Sequence, residues 1–294
     1  MENVAGVERR EHQTEQGSIV YWVSAHSVPD LPWLVFLPGL TADHRLFDKQ
    51  VEYFADKANV LVWDAPSHGK SRPFALTWTL DDWARWLLNI LDREGVENPI
   101  LVGQSMGGYL SQAFIDLFPG VAAGFVSIDS CSLKSMYYQG WELYCLKHTK
   151  LMFELFPWKT LVNQGAKGNS TTAYGQALMR DMMHDYDKKG YCALSSHGFR
   201  VLADAVEADR PYEIDCPLLV ICGEKDGAGS AKRYNRAWER REGYVVRWIE
   251  GAGHNSCCDR PDTVNALIEE FVQKIGSRVD AIKRRCLLED ELQD

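Results

Sequence analysis

Apolar residues fall along this chain in two alternating rhythms. Unbroken apolar runs at 33–37, 60–63, 99–102 and 217–222, and the mostly apolar stretch 122–128, are short and bounded by turn formers, as buried strands are. Between them, 46–58, 79–94, 109–118 and 231–241 repeat their apolar residues at helical spacing. The stretch 79–94 opens on Thr79 as a cap and carries Leu80, Trp83, Ala84, Leu87, Leu88 and Leu91 on one stripe. Residues 244–249 read as one more strand and 262–275 as a final helix. Upstream, 17–25 reads as a strand entered through a hairpin-like turn near 15–17, with an earlier strand around 7–12. Fully apolar strands alternating with amphipathic helices predict an α/β fold, a mostly parallel central sheet with helices on both faces.

The strand rhythm stops after Asp129. Residues 132–209 hold helical patterns at 133–149, 151–164, 172–188 and 192–207, and no convincing strand. The expected division is a core of 1–130 and 210–275, a helical cap at 131–209 and a helical tail at 276–294. The cap is rich in bulky apolar groups such as Met136, Trp141, Phe153, Phe156 and Met182. Most should pack its own helices, and some should line an apolar pocket against the sheet. In the tail, Val279, Ile282, Cys286 and Leu287 share helical spacing beside charged neighbours. A surface helix is the plainer reading, and a contact in a homo-oligomer the sharper one.

Composition narrows the partners. With 294 residues, 46% of them hydrophobic, the chain can bury a substantial core. A net charge of −9 argues against nucleic acid or an anionic membrane surface and leaves a small molecule as the expected partner. Residues 1–16 are polar, and no apolar run approaches the roughly 18 residues that span a bilayer, so a cytoplasmic protein is expected. The eight cysteines form no Cys-x-x-Cys pair. The histidines have no ligand-like spacing, so neither metal nor cofactor is expected.

The candidate chemistry centres on Gly103-Gln104-Ser105-Met106-Gly107, set between a predicted strand and a predicted helix. A serine on so sharp a turn needs small neighbours, and the helix N-terminus then points at its hydroxyl. Serine is a weak nucleophile until a base takes its proton and a carboxylate orients that base. Loops at the carboxyl ends of parallel strands are where such groups belong. Asp226 follows the strand at 217–222, and His254 follows the strand at 244–249. Asp129 also follows a strand and is the alternative acid; Glu224, nearer its strand, reads as a loop residue.

Together with Leu37-Pro38-Gly39-Leu40 and the turn from Asp64 through Ser67-His68-Gly69 to Ser71, these motifs resemble the α/β-hydrolase fold superfamily, serine hydrolases with a helical cap. The resemblance runs from about residue 8 to 275. It implies a catalytic triad of Ser105, Asp226 and His254, and an oxyanion hole made by the backbone N–H groups of Leu40 and Met106. The family commonly has His-Gly where this chain has Pro38-Gly39; a backbone donor should survive that change, but the turn needs another support. His68 reads as a turn-stabilising residue, His44 as a capping or surface residue with substrate contact the alternative, and Cys257 and Cys258 as inert core. The expected activity is hydrolysis of an ester or thioester of a small, largely apolar compound. Lactone opening or carbon–carbon bond hydrolysis by the same triad is the alternative, as is a small-molecule receptor with little turnover.

Overall fold

The computed structural model describes residues 6–291, with side chains through 277. Among these, eight strands form one sheet in the order β1-β2-β4-β3-β5-β6-β7-β8. They are β1 (Val7–Thr14), β2 (Gly17–Ser24), β3 (Trp33–Leu37), β4 (Asn59–Trp63), β5 (Ile100–Gln104), β6 (Gly124–Ile128), β7 (Leu218–Gly223) and β8 (Val246–Ile249). The first two strands join antiparallel and the other six run parallel. Every residue of β3, β4, β5 and β6 is buried, which is why these strands read as continuous apolar runs rather than alternating ones.

Helices α1 (Asp48–Phe54), α2 (Leu80–Glu94) and α3 (Met106–Leu117) follow β3, β4 and β5 respectively. Thr79 starts α2 with a reciprocal capping box, its hydroxyl on the Asp82 N–H and the Asp82 carboxylate on the Thr79 N–H. The stretch predicted as a helix from 46 begins instead as a 3₁₀ turn, His44–Phe47, and α1 ends at Phe54.

Between β6 and β7 the chain is helical: α4 (Gly140–Lys147), α5 (Thr149–Leu155), α6 (Trp158–Asn169), α7 (Ala173–His184) and α8 (Lys188–Glu207). Five helices replace the four read from the pattern. Pro157 divides α5 from α6, because proline has no N–H to continue a helix and disfavours helical backbone before it. The block rests on loops at the carboxyl end of the sheet. His197 Nε2 lies 2.9 Å from Trp78 O, Arg72 donates to Asp185 O at 2.8 Å, and Asp43 N–H meets Met182 Sδ at 3.4 Å. Trp141, Tyr144, Leu151 and Leu155, on α4 and α5, are exposed.

The core resumes with α9 (Ala231–Glu242), then the short α10 (Ser256–Asp259), which no periodicity announced, and α11 (Pro261–Glu291). Pro261 opens α11 at the position where its missing N–H costs nothing. The tail expected as a separate helix from 276 continues α11 without a break; the side chains of Val279, Ile282, Cys286 and Leu287 lie outside the described ones. No described helix is long and apolar enough to cross a membrane. A groove of about 910 Å³ bordered by Trp33, Asn59 and Ile100 opens at the strands' amino ends, a full strand length from Ser105.

Candidate active site

β5 ends at Gln104 and α3 begins at Met106, so Ser105 alone makes the reversal. Its φ of 50° and ψ of −113° lie outside the regions that L-residues adopt freely; such strain costs roughly 1–3 kcal/mol and must be held by the surroundings. Two glycines supply the room. A Cβ on Gly103 would fall on the backbone of Gly107, and one on Gly107 would overlap the Leu37 carbonyl of β3. Helix α3 can therefore cross both strands at backbone contact.

The three predicted side chains meet. His254 Nε2 lies 2.9 Å from Ser105 Oγ, and His254 Nδ1 lies 2.9 Å from Asp226 Oδ2. Nδ1–H donates to the carboxylate, which leaves the Nε2 lone pair facing the serine hydroxyl. Asp226 sits in the turn after β7, its N–H on Gly223 O and its Oδ1 accepting from Ala228 N–H at 2.8 Å. Asp226 and His254 are both buried. Burial by itself would lower the imidazole pKa; the Asp226 charge and hydrogen bond outweigh it and hold His254 above its ordinary 6.5.

The turn after β3 lies against the elbow. A Cβ on Gly39 would lie 3.0 Å from Ser105 Cβ and would strike Gln104 Oε1. Met106 is the first residue of α3, so its N–H belongs to the set that a helix start leaves without an intrahelical acceptor. Leu40 packs its side chain against Gly198 of α8. Gln104 packs against the turn that lacks the family's histidine. Its Oε1 fills the space beside Gly39, while its Nε2 donates to His254 O at 2.8 Å and contacts Asn255 Oδ1 at 3.3 Å. The motif assigned no role to Gln104; its place directly before the serine was the only signal.

Asp129 does not bond to the imidazole. Its carboxylate accepts Gly223 N–H at 2.7 Å, Ser256 N–H at 2.9 Å and Ser256 Oγ–H at 2.6 Å. Burial, then the Asp226 charge, push its carboxyl up to about 7. His68 is the buried turn residue its motif suggested, with Nδ1 2.9 Å from Pro66 O. His44 is not on the surface: it stacks on Trp22 and sets Nδ1 2.7 Å from Asp64 Oδ1. Asp43, His44 and Asp64 form one of two groups of potential ligand atoms among the described residues, and Asp129, Cys222 and Asp226 the other. In both groups the carboxylates already accept internal hydrogen bonds. Cys257 and Cys258 are buried, and the Cys258 contact and burial raise the Cys257 thiol pKa, which suits inert core.

Comparison with known proteins gives a consistent picture. The sequence pattern of a group described as the alpha/beta hydrolase family matches residues 34–267. The chain is similar to 3-oxoadipate enol-lactonase 1 of Acinetobacter baylyi, 24% identical over 86% of this chain and 93% of the relative. It is also similar to 2-succinyl-6-hydroxy-2,4-cyclohexadiene-1-carboxylate synthase of Escherichia fergusonii, 37% identical over 87% of this chain and 99% of the relative. Among solved structures, a thermophilic esterase from Thermogutta terrifontis superposes with a TM-score of 0.72 at 19% identity, covering 92% of this chain and 99% of its own.

Proposed function

The chain belongs to the α/β hydrolase family, and from that premise we propose that it is a serine hydrolase cleaving a carboxylic ester or thioester of a small, largely apolar compound. The observation that carries the reading is the pair of 2.9 Å contacts linking Ser105 Oγ through His254 to Asp226. His254 Nε2 takes the Ser105 proton as Oγ attacks the carbonyl carbon. Asp226 holds the imidazole in the needed tautomer and stabilises its charged form. The N–H groups of Leu40 and Met106 receive the oxyanion, and each such donor lowers the barrier by about 3 kcal/mol. The tetrahedral adduct expels the alcohol or thiol, which leaves with the proton from His254. His254 then deprotonates a water that attacks the acyl-enzyme, releasing the acid and restoring Ser105.

The helices α4–α8 act as the cap in this reading, and their inner apolar residues select the acyl group. The similarity to an enol-lactonase along nearly its whole length favours lactone opening as a second reading. There the same attack occurs, and the leaving oxygen stays tethered to the acyl group. A panel of p-nitrophenyl esters and lactones, read by steady-state turnover and by peptide mass mapping after rapid quenching, tests the proposal. Turnover with an acyl adduct on the peptide holding Ser105 is expected. Ligand-induced thermal stabilisation with no turnover of any member would favour a receptor instead.

A further inference from the structure

Asp259 ends the short helix that follows His254 and is 4% exposed. Its carboxylate gathers donors from two distant parts of the chain. Oδ2 accepts Gly253 N–H at 2.8 Å, on the residue just before the base, and Thr171 N–H at 2.8 Å. Oδ1 accepts Thr172 N–H at 3.0 Å and the Thr172 hydroxyl at 2.8 Å. The Thr171 hydroxyl lies between Gly251 O at 2.7 Å and Asp259 Oδ2 at 3.1 Å. Beyond His254, Asn255 N–H donates to Asn169 O at 2.7 Å. Gly253 passes so near this strand of contacts that a Cβ there would lie 3.0 Å from Asn169 O.

The end of α6 and its connection to α7 thus run along the His254 loop, bonding directly to residues 251 and 255 and reaching Gly253 N–H through Asp259, on both sides of the base. A buried carboxylate satisfied by four or more donors is held in one place. A base within reach of its serine must be held to a fraction of an ångström, because small displacements cost large factors in rate.

We propose that Asp259 is a positioning residue for His254, clasping its loop to the helical block so that the block is part of the base's scaffold and not only its cover. The inference rests on the reading of His254 as the base of a serine hydrolase. It differs from a purely structural role in one respect: loss of the clasp should slow chemistry in molecules that remain folded.

The test compares the full-length protein with Asp259→Asn, Thr172→Val and the double variant. Three readouts are used: p-nitrophenyl acetate turnover, the rate of fluorophosphonate labelling, and the downfield Nδ1 proton resonance of His254. Asp259→Asn is expected to lose about tenfold or more in kcat and in labelling rate, with KM within about twofold and the Nδ1 resonance shifted or broadened. Thr172→Val is expected to lose about threefold, and the double variant to be little worse than Asp259→Asn alone, as two halves of one contact should be. A folded Asp259→Asn protein with native kcat and an unmoved resonance overturns the inference. If that variant does not fold, Thr172→Val with native kcat and resonance does the same. Wild-type protein that neither turns over the ester nor labels at Ser105 would instead sink the serine-hydrolase reading, and the resonance would still report on the clasp.

Discussion

Asp129 and Asp226 stand on loops after adjacent strands with carboxylate oxygens within 4.8 Å of each other, yet only Asp226 bonds to His254. The backbone divides their roles. Three donors from Gly223 and Ser256 turn the Asp129 carboxylate toward the strand end and α10, whereas the turn after Gly223 aims Asp226 at the imidazole. Burial, and then repulsion from a carboxylate this close, make Asp129, which has no hydrogen bond to the imidazole, hold its proton to higher pH.

Replacing each acid should therefore have unequal effects. In the proposed mechanism Asp226→Asn removes the group that orients and supports the base, and kcat is expected to fall by about a thousandfold or more. Asp129→Asn keeps the Ser105–His254–Asp226 contacts and should cost about tenfold or less. Steady-state kinetics on one chromogenic ester compares them; equal losses would contradict the division of roles.

The raised Asp129 pKa has a consequence for stability. A carboxyl that ionises near 4 when unfolded and near 7 when folded favours the folded state only while protonated. Wild-type stability should fall relative to Asp129→Asn as pH rises from about 4 to about 7, and the difference should level off above that. Denaturant titrations of both proteins at pH 5 and pH 8 read it directly. A difference that is constant, or that moves the other way, would mean Asp129 is charged in the native protein at acid pH.

In the proposed mechanism His254 sets the acid limb of activity. Only the neutral imidazole can take the Ser105 proton, so kcat/KM should rise with pH through a midpoint above 6.5. Asp226 chiefly, with a smaller contribution from Asp129, lifts that midpoint against the effect of burial. In Asp226→Asn the residual activity should show its limb at lower pH. A limb unmoved by the substitution would assign the titration to another group.

Gly107 offers a packing test. The Cβ of Gly107→Ala would overlap a strand carbonyl that cannot rotate away, so a loss of about 3 kcal/mol or more is expected. Gly168 lies within α6 with open space where a Cβ would go, and Gly168→Ala should be neutral or stabilising by up to about 1 kcal/mol. Chemical denaturation of both variants checks the contrast.

The strands were legible because burial on both faces leaves an unbroken apolar signature, as in Leu34 to Leu37 and Leu101 to Val102. Ser105, Asp226 and His254 could be picked out because each lies just past such a strand, where the fold gathers loops. What the pattern hid depends on contacts distant in sequence. Helix α10 has four residues, too few for any periodicity. Gly276 alone does not stop α11, because one glycine costs only about 1 kcal/mol in a helix. Gln104 and Asp259 look like ordinary polar residues until folding brings Gly39, His254, Thr171 and Thr172 to them. His44 looked like a surface histidine because neither Trp22 nor Asp64 is near it in sequence.

The central claim is that Ser105 is the nucleophile, and Ser105→Ala tests it most directly. Wild type and variant would be treated with a fluorophosphonate and weighed intact, and their ester turnover measured in parallel. The account predicts one covalent adduct on wild type, none on Ser105→Ala, and loss of nearly all turnover in a variant that keeps its fold. A Ser105→Ala protein that still labels, or that hydrolyses the ester at the wild-type rate, would contradict it.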